Sequence, residues 1–242
     1  MAQQGPNPID AYEAAIQLML PKLASIKADQ LSSSTPCSEW NVQSLINHNL
    51  RVAVFANSVL NGAPGDSGEM FSVADPIPTE GAEAVFRANT AAVLATAKSM
   101  DMSSTVETPF GPMPAGGFLM IPMGDIVIHN WDLSTATGQN TDMDSALAEA
   151  CYGFLSQAIE GARQGGFFGS EIQVPITASI QDKLLACPDA RRKAITGKIP
   201  LTGRMGTIRE GGRLKASRLF VTALLRELTR RSRNPSVSSR QP

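Results

Sequence analysis

Apolar residues in this chain recur at spacings of three and four in one stretch after another and almost never alternate, a pattern that specifies helices packed by one face and leaves little room for a sheet. From Pro8 to about Ala28 the positions are Ile9, Tyr12, Ile16, Leu20, Leu23 and Ile26, with Pro8 suited to a first turn and Pro21 able to kink the helix. Asn41 is placed to cap a second helix carrying Val42, Leu45, Ile46, Leu50 and Val54, which ends near Asn61-Gly62. The stretch NGAPGDSGEMFSVADPIP then reads as a loop. Thr79 is expected to cap a third helix, with Glu80 and Glu83 in its first turn and Phe86, Val93, Ala97 and Met100 on its buried face. The prolines of VETPFGPMP interrupt the pattern and suggest a short hairpin-like excursion. Helical spacing resumes from about Pro122 to Thr137, where Gly138 can adopt the left-handed cap, and again from about Asp142 to Arg163. FFGSEIQVPIT is short and can be extended, and ASIQDKLLACPDA reads as a brief helix. The expected class is all-α, a helical bundle with long connecting loops.

Charge divides the chain where periodicity does not. Residues 1–190 hold 7 Lys+Arg against 20 Asp+Glu, and residues 191–242 hold 14 against 2, so formal charges of −13 and +12 hide behind a net −1. The expected organisation is a helical domain over 1–190 and a basic, partly disordered extension over 191–242, in which LKASRLFVTALLRELTRRSR can form an amphipathic helix. A run such as Arg230-Arg231-Ser232-Arg233 could meet phosphates of nucleic acid or an anionic membrane. A solvated extension that docks on the acidic body is the favoured reading. Cys37, Cys151 and Cys187 are too far apart for a CxxC site, and neither a leader nor a membrane-spanning run is visible, so a reducing cytoplasm is expected.

The chain has two histidines, His48 and His129, each within a helical pattern. Asp125 and His129, four apart, share a helix face and could share an ion, with His48 arriving from another helix. Two imidazoles and one carboxylate suit zinc, nickel, iron or manganese and leave a coordination position open. Spacing alone favours a plainer explanation, an ordinary partly buried histidine at His48 and a helical ion pair from Asp125 to His129. Trp40 and Trp131 are expected to pack the bundle, Cys37 to be a buried structural thiol without activating neighbours, and Met113, Met120 and Met123 to fill core gaps. Asp132 either orients a histidine or plays a structural part, with the structural part preferred.

Four segments, PIDAYEAAI, TPCSEWNVQSLINHNL, TPFGPMPAG and GDIVIHNWDLSTATGQ, with a weaker match reaching ASIQDKLLA, resemble the N-terminal metal-binding domain of mycothiol-dependent maleylpyruvate isomerases and their actinobacterial relatives in the DinB-like superfamily. The resemblance covers roughly residues 8–186. It implies a DinB-like four-helix bundle with one divalent metal, zinc being the ion expected, held by His48, Asp125 and His129. Some relatives have glutamate where this chain has Asp125. It implies further a metal-dependent transferase or isomerase that uses a low-molecular-weight thiol, mycothiol, as cosubstrate with an electrophilic partner. The second α/β domain of those isomerases has no counterpart in residues 191–242, so no catalytic residue is carried over. The alternative is a non-catalytic metal-binding sensor or interaction module whose output is the basic tail.

Overall fold

The computed structural model describes residues 7–37, 40–63, 67–108, 111–164 and 174–187. Six helices dominate it: α1 (Pro8–Ser25), α2 (Val42–Leu60), α3 (Ala82–Ser99), α4 (Ala115–Thr137), α5 (Ser145–Gln164) and α6 (Ile180–Ala186). Strands β1 (Thr105–Val106) and β2 (Met113–Pro114) pair antiparallel, which is the expected excursion between α3 and α4. Helices α1 to α4 close a ring in which α1 touches α3 and α4, and α2 touches the same two from the other side. This is the all-α, DinB-like four-helix bundle. Helix α5 lies against α4 and α1, with α6 packed on α5.

Local chemistry explains most of the helix limits. The Asn7 carboxamide accepts from Ile9 N at the start of α1, and the helix runs on through Pro21. Asn41 caps α2 by accepting from Ser44 N at 2.8 Å, as its position predicts. Gly138 ends α4 with φ 69° and ψ 26°, the left-handed geometry that glycine adopts without a Cβ clash. Asp144 accepts from Leu147 N at the head of α5, and Ser179 from Asp182 N at the head of α6.

Two expected starts are corrected. Thr79 does not cap α3: residues 78–81 form a tight turn in which Gly81 N donates to Pro78 O, and Gly81 then leads into the helix at φ 88°, so the helix begins at Ala82, two residues after the expected start, and Glu80 stays outside it. Helix α4 begins at Ala115 rather than near Pro122, because its first N–H groups are taken by the preceding turn: Ala115 N donates to Ser104 O and Gly116 N to Met102 O, both at 2.8 Å. That approach is close enough that a Cβ at Gly116 would lie 3.1 Å from Pro8 Cγ and 3.2 Å from Met102 O. Pro122 therefore sits inside α4, where neighbouring helices bury it on the apolar seam.

The core is continuous. Tyr12 and Met19 of α1, Leu45 and Ile46 of α2, Phe86 of α3, and Phe118, Leu119, Met123, Ile126 and Leu133 of α4 are fully or almost fully buried. Met113 and Met120 join them as core filling, and Trp40 is buried while Trp131 is only partly covered. Helix α4 is buried along most of its length and on nearly all sides, which marks it as the central element on which a site can be held rigidly. No helix among the described residues is long and apolar enough to cross a membrane. The expected basic extension over 191–242, with its amphipathic helix, lies outside the described residues.

Candidate metal centre

Helices α2 and α4 bring the two histidines together. His48 projects from α2 and His129 from α4, with ring centroids 5.1 Å apart and planes perpendicular. Asp125, one turn before His129 on α4, lies between them: Oδ2 is 2.9 Å from His48 Nε2 and Oδ1 is 3.4 Å from His129 Nε2. All three side chains are buried. The short aspartate thus serves both imidazoles, one oxygen each.

What fixes the rings is the other nitrogen of each. His48 Nδ1 lies 2.9 Å from the carbonyl of Met70, which can only accept, so Nδ1 carries a proton and donates it. His129 Nδ1 likewise donates to Asp132 Oδ2 at 2.9 Å. Both rings are therefore locked with Nε2 turned toward Asp125. Two nitrogen lone pairs and a carboxylate facing one another in a buried space repel unless a cation, a proton or a metal, lies among them.

The protonic version of that balance is visible in the acidities. Burial alone would raise Asp125, but the adjacent charges of His129 and His48, with hydrogen bonds from both, hold its carboxyl well below the usual carboxylate range. Burial alone would lower His129. The Asp125 charge and hydrogen bonds to Asp125, Asp132 and Cys37 outweigh it and raise the imidazole well above its ordinary value.

The same donors fit a divalent metal. Zinc ligands at about 2.1 Å in a tetrahedron stand about 3.4 Å from one another, and the two separations from Asp125 fall at or slightly under that. The ligand atoms of His48, Asp125 and His129 all lie within 4.8 Å of one another. The set is borderline in softness, leaves room for a further ligand, and has its imidazole tautomers fixed from outside, as metal-binding histidines usually do.

Around this triad the structure places residues whose roles spacing could not assign. Cys37 is buried as expected, but it is wired to the site: its thiol donates to Asp132 Oδ2 at 3.3 Å, and Sγ lies 3.9 Å from His129 Nδ1. Cys37, His129 and Asp132 form a second group close enough to share an ion, with His129 common to both groups. Asp132 takes the orienting part rather than the structural one preferred from sequence. The loop before α2 is held by Thr35, whose hydroxyl donates to Trp40 O at 2.7 Å and accepts from Cys37 N at 3.1 Å. Trp40 then covers His48 at 4.6 Å between ring centroids, with Phe71 stacked on the imidazole from the other connection at 5.6 Å. That connection is pinned to α2: Asn47 donates to Val73 O and Asp75 O, Gln43 to Asp75 O, and Arg51 pairs with the Asp75 carboxylate.

Comparison with known proteins bears on the family and the fold. Residues 12–134 match the family model described as the mycothiol maleylpyruvate isomerase N-terminal domain, a span that includes His48, Asp125, His129 and Asp132 and stops short of α5 and α6. Uncharacterized proteins from two strains of Mycobacterium tuberculosis are each 33% identical over 146 residues, covering 59% of this chain and 74% of theirs. The crystal structure of the mycothiol-dependent maleylpyruvate isomerase superposes with a TM-score of 0.54 at 15% identity, over 65% of this chain and 71% of that one. A histidine-to-alanine mutant of that isomerase gives 0.53 at 13% identity. Bundle, motif span and sequence similarity coincide, and the chain belongs to the family of the mycothiol maleylpyruvate isomerase N-terminal domain.

Proposed function

We propose that His48, Asp125 and His129 hold one divalent metal ion, of the zinc class, and that the protein uses it to bind a low-molecular-weight thiol of the mycothiol type for transfer to, or isomerisation of, an electrophilic substrate. One observation carries the reading: both imidazoles have Nδ1 engaged by an acceptor and Nε2 turned on the oxygens of one buried carboxylate. When bound, such an ion supplies Lewis acidity that keeps a coordinated thiol in its thiolate form at neutral pH. The chain's own residues do the rest. Met70 O and Asp132 hold the two ring tautomers, Asp125 contributes the negative charge, and Trp40 and Phe71 shield His48 from water. The thiol and the electrophile follow from family membership and from the name of the structural neighbour.

Elemental analysis of the purified chain beside His48→Ala and His129→Ala variants tests the ion. Near-stoichiometric metal in the parent and its loss in both variants is the expected result. A parent that stays metal-free after supplementation with zinc, nickel, iron and manganese would remove the basis of the proposal. For the thiol, adding mycothiol to the cobalt-substituted protein should produce a sulfur-to-cobalt charge-transfer band, and an unchanged spectrum would leave a metal-binding module without thiol chemistry.

A further inference from the structure

A second feature of the α2–α4 seam bears on what the site accepts. Between the two helices, beside Asp125, lies a slot of about 20 Å³ lined by Val52, Phe55 and Ala56 of α2, Phe118, Ile121 and Pro122 of α4, and Met70 of the connecting turn. That is room for about one water-sized group. Its lining follows from helical spacing. Val52 stands one turn beyond His48 on α2, and Ile121 and Pro122 stand one turn before Asp125 on α4, so the slot begins where the ligand set ends and continues along the seam.

Two properties decide what can sit there. Of the three proposed ligands, His48 and His129 are 1% and 2% exposed while Asp125 is 8%, so the accessible side of the set is that of Asp125, the residue that also lines the slot. Among the described residues, every lining side chain apart from Asp125 is apolar, and none is lysine or arginine. Arg51, the arginine of α2, is held by Asp75 instead. A carboxylate entering the slot would lose its hydration and find no hydrogen-bond donor on the described side chains that line it. A short alkyl or alkenyl group would lose nothing and bury its surface.

We infer that this slot seats the apolar part of an uncharged ligand, so that the site selects small uncharged molecules with a short hydrocarbon group and rejects dicarboxylates. As a statement about substrate this rests on the ligand reading of His48, Asp125 and His129. The slot and its preference stand on the lining residues alone.

The test uses the full chain and two probes with the same thiol head and different tails, propane-1-thiol and mercaptosuccinate. Methyl-resolved NMR follows Val52 and Ile121, first in zinc-supplemented protein and then in chelator-treated protein, with elemental analysis recording occupancy. Each seated methylene is worth about fourfold in affinity, and the slot has room for about one such group, so the propyl tail should favour binding by about fourfold over the dianion. Ala56→Leu fills the slot and should erase that preference, whereas Val52→Ala enlarges it and should move the optimum to a longer alkyl thiol; thermal melts check that both variants fold. Equal or tighter binding of mercaptosuccinate, or a preference unchanged by Ala56→Leu in a folded variant, overturns the inference while leaving bound metal intact. If no metal binds, the ligand reading fails separately. Saturable Val52 and Ile121 shifts with propane-1-thiol in the metal-free protein then uphold the slot, and their absence refutes it.

Discussion

Removing the carboxylate of Asp132 should weaken metal binding without removing a ligand. Its Oδ2 accepts from His129 Nδ1 at 2.9 Å inside a site where His129 is 2% and Asp132 4% exposed, so water cannot replace it freely. A buried hydrogen bond to a charged group is worth about 1.5–3 kcal/mol. At about 1.4 kcal/mol per decade this puts Asp132→Ala at about 10- to 100-fold weaker affinity, the range found for partners of metal-bound histidines. Asp132→Asn keeps an acceptor oxygen and loses the charge; with charge-assisted bonds about twice as strong as neutral ones, its loss should be about 3- to 10-fold. Competition against a chromophoric zinc chelator measures both, with circular dichroism and thermal melts as the check on folding. A folded Asp132→Ala protein that binds zinc within about threefold of the parent would refute the claim that His129 is held ready by this contact.

The acidities predict how the metal-free protein responds to pH. His129 is raised above its ordinary 6.5, so its contribution to stability is complete below that value and is lost as pH climbs toward the folded value; Asp125, lowered from 3.8, contributes above 3.8 and loses that contribution as pH falls. Scanning fluorimetry should show metal-free stability declining on the alkaline side while the gain on adding zinc grows, since zinc competes with the His129 proton; a metal-free Tm that rises through that range counts against the assignment. Phe118→Ala removes a ring 2% exposed and 6.4 Å from that of Phe55, and should cost about 3–5 kcal/mol in urea unfolding; a loss below about 1 kcal/mol would show that the α2–α4 seam is not core.

The bundle was legible because burial imposes a period on sequence. Asn41 and Gly138, whose side-chain chemistry acts on its own backbone neighbourhood, could be placed from sequence and stand where expected. The starts of α3 and α4 could not. One depends on a positive φ at Gly81, and the other on carbonyls of Met102 and Ser104 that reach Ala115 and Gly116 only once the chain has turned. The site divides in the same way. Asp125, His129 and Asp132 share one helical face at spacings of four and three, and that much is local. That His48 joins them across 77 residues, and Cys37 lies 92 residues before the ring it approaches, are facts of packing that the family resemblance anticipated for His48 and nothing anticipated for Cys37. Met70 left no trace at all, because it contributes to His48 through a main-chain oxygen.

That last contact has an evolutionary corollary. Position 70 does two jobs with separable parts: its carbonyl holds His48, and its side chain lines the slot beside Asp125. Every amino acid brings the same carbonyl, so descendants of this chain are free to exchange the side chain, and with it the shape offered to a ligand, while the histidine keeps its tautomer. Inserting or deleting a residue between α2 and that turn is a different kind of change, since it would carry the oxygen away from the ring. Changes in the length and path of this connection therefore bear on the seating of His48 and changes in its composition on the shape of the slot, so one segment can vary the slot without moving the histidine.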